Sequence, residues 1–224
     1  FYYDHRFKNE IHELFKTVKE GVGPKDQAKA CVVGDGPLPR YFFHASSYAS
    51  GAKYYMVDQF VPWWLRYQQK KDREEYEVLT DVFPLKLFFD LEFLPTFNEQ
   101  VSMDQCIAIL HQGVRTCLKR FFAFHEIVRL DANLPTKTST HLIYPTVVFR
   151  TMAHMHHFIW NLLLPTLPMG TFEVLKGPGD ERDHVIDTSV YSKDRLFRLY
   201  ESTKGKKHNP LLAVPQCTYP DQSP

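Results

Sequence analysis

Asp90 and Glu92 stand two residues apart in the segment Leu85-Lys86-Leu87-Phe88-Phe89-Asp90-Leu91-Glu92-Phe93. Side chains alternate along an extended chain, so Leu87, Phe89, Leu91 and Phe93 share one face and the two acids share the other. At roughly 3.3 Å per residue the acids sit about 6–7 Å apart along the strand. Like charges on a strand that otherwise forms core repel each other and are costly to desolvate. A divalent cation removes that cost, because carboxylate oxygens are preferred ligands of Mg²⁺ and Mn²⁺. A half-exposed strand whose outer face merely carries acids would satisfy the same pattern, so the D-x-E pair needs company.

Two later segments supply it. In Lys137-Thr138-Ser139-Thr140-His141-Leu142-Ile143-Tyr144, alternation puts Lys137, Ser139 and His141 on one face and Thr140, Leu142 and Tyr144 on the other. Lys137 offers charge, and the hydroxyl and imidazole offer N–H and O–H donors, a set suited to a polyphosphate. A satisfied core histidine beside strand-forming Ser and Thr is the competing reading. A Ser-His hydrolase is discounted because no G-x-S-x-G elbow is present. The third segment runs from His184 to Tyr200. Asp187 ends a short apolar run there, followed by Arg195 and Arg198 and then by Lys204 in the basic loop Lys204-Gly205-Lys206-Lys207. Between Lys193 and Lys207 six basic residues face two acidic ones, a local excess suited to phosphate or to a solvated basic face. Asp187 alone could equally be a strand-end turn residue.

The elements that must position these residues are legible from periodicity. Ile11, Leu14, Phe15 and Val18 predict a helix over 6–20, closed by Gly21, Gly23 and Pro24. Short strands follow at 29–33 and 40–45, joined by a Gly34-Asp35-Gly36-Pro37 turn. Pro62 suits the first turn of a second helix through Trp64, Leu65 and Tyr67. Strands at 76–79 and 85–93 lead to an amphipathic helix over 103–124, with Ser102 and Gln105 in capping-box spacing. The later half predicts a strand at 138–144, a helix at 153–164 and strands at 185–191 and 197–201, with an irregular Pro-rich tail from residue 209. Strands interleaved with helices give an α+β class, with modules at 1–80 and 81–224.

Composition bounds the rest. The chain has 224 residues, 44% hydrophobic and 24% charged, with a net charge of +1, ordinary for a soluble globular protein. Aromatics at 15% predict an aromatic-rich core. No apolar run reaches membrane-spanning length, and the first residues show no signal-peptide or transit-peptide design. Cys31, Cys106, Cys117 and Cys217 form no C-x-x-C pair, which predicts reduced intracellular thiols rather than a zinc knuckle or a disulfide framework.

Asp90-Leu91-Glu92, Ser139-Thr140-His141 and Asp187, in this order, resemble the three motifs of the archaeo-eukaryotic primase superfamily, most closely its PrimPol-like branch. The flanking Lys86–Phe93, Thr140–Ile143 and Val190–Tyr200 are similar too, as is Val33-Gly34-Asp35-Gly36 with Arg40 near the start. The resemblance covers about residues 25–207 and implies an N-terminal α/β module packed on an RRM-like C-terminal module with the active site in the cleft between. It implies that Asp90, Glu92 and Asp187 hold Mg²⁺ or Mn²⁺, and that Lys137, Ser139, His141, Arg198 and Lys204 contact the incoming triphosphate. Arg40 and Arg195 are looser contacts to template or nucleotide. Position 140 is Thr where relatives commonly carry a basic residue. The expected protein is a monomeric polymerase core without the family's C-terminal zinc-binding module. Its expected partners are a DNA template and primer and dNTPs, with NTPs also admitted, and no membrane. The resemblance implies nuclear or mitochondrial residence and a role in replication restart or damage tolerance. Two other classes stay open: a catalytically silent nucleic-acid-binding module and a metal-dependent nuclease.

Overall fold

The segment with the strongest strand signal in the sequence forms a nine-residue strand, Leu85–Phe93. The structure is a computed structural model that describes residues 13–15, 25–26, 42–47, 53–58, 60–81, 83–119, 127–204 and 208–215. Its strands are β1 (Glu13–Phe15), β2 (Phe42–Ser47), β3 (Lys53–Asp58), β4 (Glu75–Leu79), β5 (Leu85–Phe93), β6 (Val128–Asp131), β7 (Thr138–Phe149), β8 (Glu173–Leu175), β9 (Arg182–His184), β10 (Arg195–Arg198) and β11 (Leu212–Ala213). The α-helices are α1 (Phe60–Gln68), α2 (Met103–Leu118) and α3 (Met152–His157). The class is mixed α and β with antiparallel sheets, as the interleaved periodicities predict.

The chain divides into two compact units, Phe1–Val82 with Leu196–Pro210, and Phe83–Arg195 with Leu211–Pro224. In the first, a five-stranded sheet runs in the order β1-β3-β2-β4-β10. Glu75 of β4 is 1% exposed; its carboxylate accepts from Trp63 Nε1 at 3.0 Å and pairs with Lys70. Asp58 is likewise buried and meets Arg66 Nη2 at 2.5 Å. Tyr67, at the centre of the Trp63, Trp64 and Tyr67 ring cluster, donates its hydroxyl to Tyr200 O.

In the second unit a four-stranded antiparallel sheet runs β11-β6-β7-β5. β5 buries Leu87, Phe89 and Leu91 completely, as strict alternation demands. α2 contributes Ile107, Leu110 and Val114, all fully buried, each worth about 1.5–3 kcal/mol when taken from water. Its first turn is held by Ser102 Oγ, which accepts from Gln105 N–H. α2 also carries Gly113, where an added Cβ would lie 2.7 Å from Leu167 Cδ2 and 3.1 Å from Leu163 Cδ1, so a larger residue would have to displace those side chains.

Five expectations are corrected. Residues 13–15 are strand rather than helix, because the backbone of Glu13–Phe15 pairs with β3; tertiary pairing overrides a helical period here. The helix at 153–164 begins as α3, widens to a π-turn over Phe158–Leu163 and tightens to 3-10 at Leu164–Thr166, where Pro165 cannot sustain the α ladder. The strand predicted at 185–191 is a single bridge at Ile186 followed by a 3-10 turn at Thr188–Val190. The tail contains β11, paired on β6, and the strand predicted at 197–201 is β10 at 195–198. The helix ends at 6–12 and 120–124, the strand at 29–33, the turn at 34–37 and Arg40 lie outside the described residues.

Candidate active site

β5 is the axis of the site. On one side it pairs with β7 so that Asp90 lies opposite His141 and Glu92 opposite Ser139. On its other side Leu91 bridges Ile186, Glu92 N–H donates to Val185 O at 2.8 Å, and Asp187 N–H donates to Asp90 O at 2.9 Å. The three segments singled out by residue type are therefore neighbours on one antiparallel framework. Residues directly opposite in such a ladder have Cβ atoms about 4.5–5.5 Å apart.

The side chains follow from that register. His141 Nε2 is 3.7 Å from Asp90 Oδ2, with the ring 6% and the carboxylate 19% exposed. Lys137 Nζ lies 2.5 Å from Glu92 Oε2, both about one-third exposed; screening keeps such a pair worth only about 0–1 kcal/mol. Lys137 reaches Glu92 because the β6–β7 turn closes tightly. Leu134 N–H donates to Lys137 O at 2.8 Å, Lys137 N–H returns the bond at 3.1 Å, and Ser139 N–H donates to Asn133 Oδ1 at 2.9 Å. Thr140 is fully buried on the opposite face, where its hydroxyl donates to Asp131 Oδ1.

Asp187 is half-buried. Its carboxylate accepts from Ser189 N–H at 2.9 Å and caps the 3-10 turn, which is the physical reason the predicted strand ends there. The turn delivers Tyr191, whose buried hydroxyl donates to Phe88 O at 2.9 Å. Burial first, then the charges of Asp90 and Asp187, hold the Tyr191 phenol well above its ordinary value, so it stays a neutral donor.

A cavity of about 470 Å³ opens beside these residues, within the size range of small-ligand sites. Its polar lining includes Glu92, Lys137, Lys176, Asp183, His184 and Asp187, and its apolar side includes Leu94, Val174 and Leu175. Asn98, 1% exposed, ties the two apolar walls together. Its Nδ2 donates to Leu94 O at 2.9 Å and Leu175 O at 3.0 Å, and its Oδ1 accepts from Leu175 N–H at 2.7 Å. Sequence reasoning missed Asn98, His184 and Tyr191. Each acts through a long-range or turn hydrogen bond that no local pattern announces.

Asp90, Glu92, Lys137, Ser139, His141 and Asp187 are thus brought together. Arg198 and Lys204 fall in the other unit: Arg198 is buried and donates from Nη1 to Asn209 O at 3.2 Å, and Lys204 is exposed. Arg195 is half-buried at the start of β10. For a divalent cation the donor chemistry fits: three carboxylates on adjacent backbone segments, partly open to solvent, with no thiolate among them. Among the described residues, no three His, Cys, Asp or Glu side chains are gathered closely enough to hold an ion as they stand. Asp187 spends one oxygen on its cap and Glu92 one on Lys137.

No family model matches the chain. Among curated proteins it is 27% identical over 203 residues to the DNA-directed primase/polymerase protein of Danio rerio, covering 74% of this chain and 39% of the relative. The protein of the same name in Mus musculus is 26% identical over 227 residues, covering 78% and 42%. That of Bos taurus is 28% identical over 244 residues, covering 77% and 44%. The chain is thus similar to proteins of that name in three vertebrates. It spans about two-fifths of the length of those relatives.

Proposed function

We propose that this chain is the core of a template-directed DNA polymerase and primase that transfers nucleotides to a primer 3′-hydroxyl, with the archaeo-eukaryotic primase fold and a role in replication restart or damage tolerance. The observation that carries the reading is the backbone framework on β5, which joins Asp90 and Glu92 to His141, Ser139 and Asp187 beside a nucleotide-sized cavity. Asp90, Glu92 and Asp187 would hold Mg²⁺ or Mn²⁺, which when bound supplies Lewis-acid activation of the hydroxyl and neutralises charge on the leaving pyrophosphate.

The chain's own residues do the rest by position and charge. Lys137 exchanges its partner Glu92 for a phosphate oxygen once Glu92 is otherwise engaged. Ser139 and His141 donate hydrogen bonds to the triphosphate from the adjacent strand. The substrates are a primed DNA template and deoxynucleoside triphosphates. Template binding through Lys and Arg makes it weaken with salt.

The Lys137–Glu92 ion pair favours a second reading, a primase-like module that binds nucleic acid without catalysis, because it satisfies one acid without a metal ion. Primer extension with dNTPs and either Mg²⁺ or Mn²⁺, beside the Asp90→Ala/Glu92→Ala variant, separates the two. Template-directed extension that vanishes in the variant supports the polymerase. Folded wild-type protein that binds DNA but extends with neither metal would overturn it in favour of the binding module.

A further inference from the structure

His184 ends β9 three residues before Asp187, where the chain leaves the β8–β9 hairpin and enters the bridge on β5. Its Nδ1 accepts from the N–H of Ile186, two residues on, at 3.2 Å. That is the ring equivalent of an Asx-turn, in which a side-chain oxygen holds the i+2 amide and bends the backbone. The imidazole is fixed from its other side by Phe172, stacked at 5.6 Å with the planes 16° apart.

The backbone around it is tied at every step. Glu173 lies opposite His184 in the hairpin, Val185 N–H donates to Phe172 O at 2.8 Å, and Val185 O receives Glu92 N–H. The Ile186 side of Leu91 then carries the chain to Asp187, whose N–H reaches Asp90 O. With these bonds in place, the His184–Ile186 turn sets the direction in which the chain runs alongside β5. That direction decides where the Asp187 carboxylate stands relative to Asp90 and Glu92.

We infer that His184 is a positioning residue: through the Ile186 amide it aims Asp187 at the acids of β5 and locks the β8–β9 hairpin to the site. The mechanism needs a neutral ring, since an imidazolium has no acceptor at Nδ1. Burial, the largest influence on the ring, holds the pKa of His184 below its ordinary value. With Nδ1 accepting, the ring's single proton is on Nε2.

The inference rests on the polymerase reading only for its activity arm. Three variants separate acceptor geometry from bulk: His184→Ala removes the acceptor, His184→Asn restores an oxygen at the Nδ1 position, and His184→Gln moves it one methylene too far. Two quantities are read in each, the exchange rate of the Ile186 amide by NMR without metal or nucleotide, and kcat and KM for dNTP in primer extension. His184→Ala should speed Ile186 exchange by about tenfold or more and lower kcat by roughly 10–100-fold with little change in KM, the size of effect seen when support behind a metal ligand is lost. His184→Gln should behave like His184→Ala, and His184→Asn should return both quantities to near wild type.

Asparagine as damaging as alanine, or alanine with unchanged exchange and kcat, overturns the inference. Should His184→Ala fail to fold, the contrast between His184→Asn and His184→Gln decides in the same way. If the wild type does not extend primers, the polymerase reading falls, and the positioning role stands or falls on the exchange pattern alone.

Discussion

Both compact units place acids on sheet strands, and they treat them in opposite ways. In the first, Glu75 and Asp58 are 1% and 5% exposed, and each has a cation beside it; Glu75 also accepts from Trp63 Nε1. Its backbone is secured as well, with N–H donating to Ser202 Oγ at 3.0 Å. In the second, Asp90 and Glu92 are 19% and 36% exposed, and Asp187 stands beside them on the neighbouring segment. There Glu92 meets Lys137, Asp90 lies 3.7 Å from His141 Nε2 and Asp187 caps its turn. A buried acid with a dedicated cation and donor is part of the fold. Acids held partly open on paired backbones are what the proposed cation site requires.

The difference can be broken by charge removal. Asp187→Asn keeps an oxygen for the Ser189 amide and so keeps the cap, and it should lower primer extension by about 10³-fold or more if the carboxylate is a cation ligand. Thermal unfolding should show its melting temperature unchanged; a large fall in stability would make Asp187 a structural acid like Glu75. Glu75→Ala should do the reverse. It strands Trp63 Nε1 and Lys70, costing about 3 kcal/mol, read as a lower urea midpoint; an unchanged midpoint would erase the contrast.

Two smaller effects sharpen it. Tyr191→Phe deletes the donor to Phe88 O beneath the acids and should cost about 1 kcal/mol in a denaturation titration, with KM for dNTP unmoved. His184 binds protons less readily folded than unfolded, because burial lowers its pKa from 6.5. The unfolded chain therefore holds the extra proton as pH falls through 6.5, and the stability contributed by the neutral ring is present above that value and lost below it. Urea midpoints at pH 5.5 and 7.5 should differ more in wild type than in His184→Asn, which has nothing to titrate there.

Much of the site was legible in the sequence because its signals are local. The alternation of Leu87, Phe89 and Leu91 around Asp90 and Glu92 placed β5 residue for residue, and Lys137, Ser139 and His141 shared a face as a period of two requires. Ser102 and Gln105 announced the start of α2. The helical period at Ile11, Leu14, Phe15 and Val18 misled, since a period reports which residues face together and not what their backbone will pair with. At Glu13–Phe15 that partner is β3, a segment some forty residues away in the chain.

What the sequence by itself determined is the content of each strand and the chemistry on its face, both set by neighbours within a few residues. Tertiary structure alone decided that β5 takes β7 on one edge and Ile186 on the other. It alone clipped Leu175 to the Asn98 side chain and returned residues 196–210 to the first unit. The pairing choices on β5 are made by backbone hydrogen bonds between residues far apart in the chain, which carry no residue-type signature because every amide can make them.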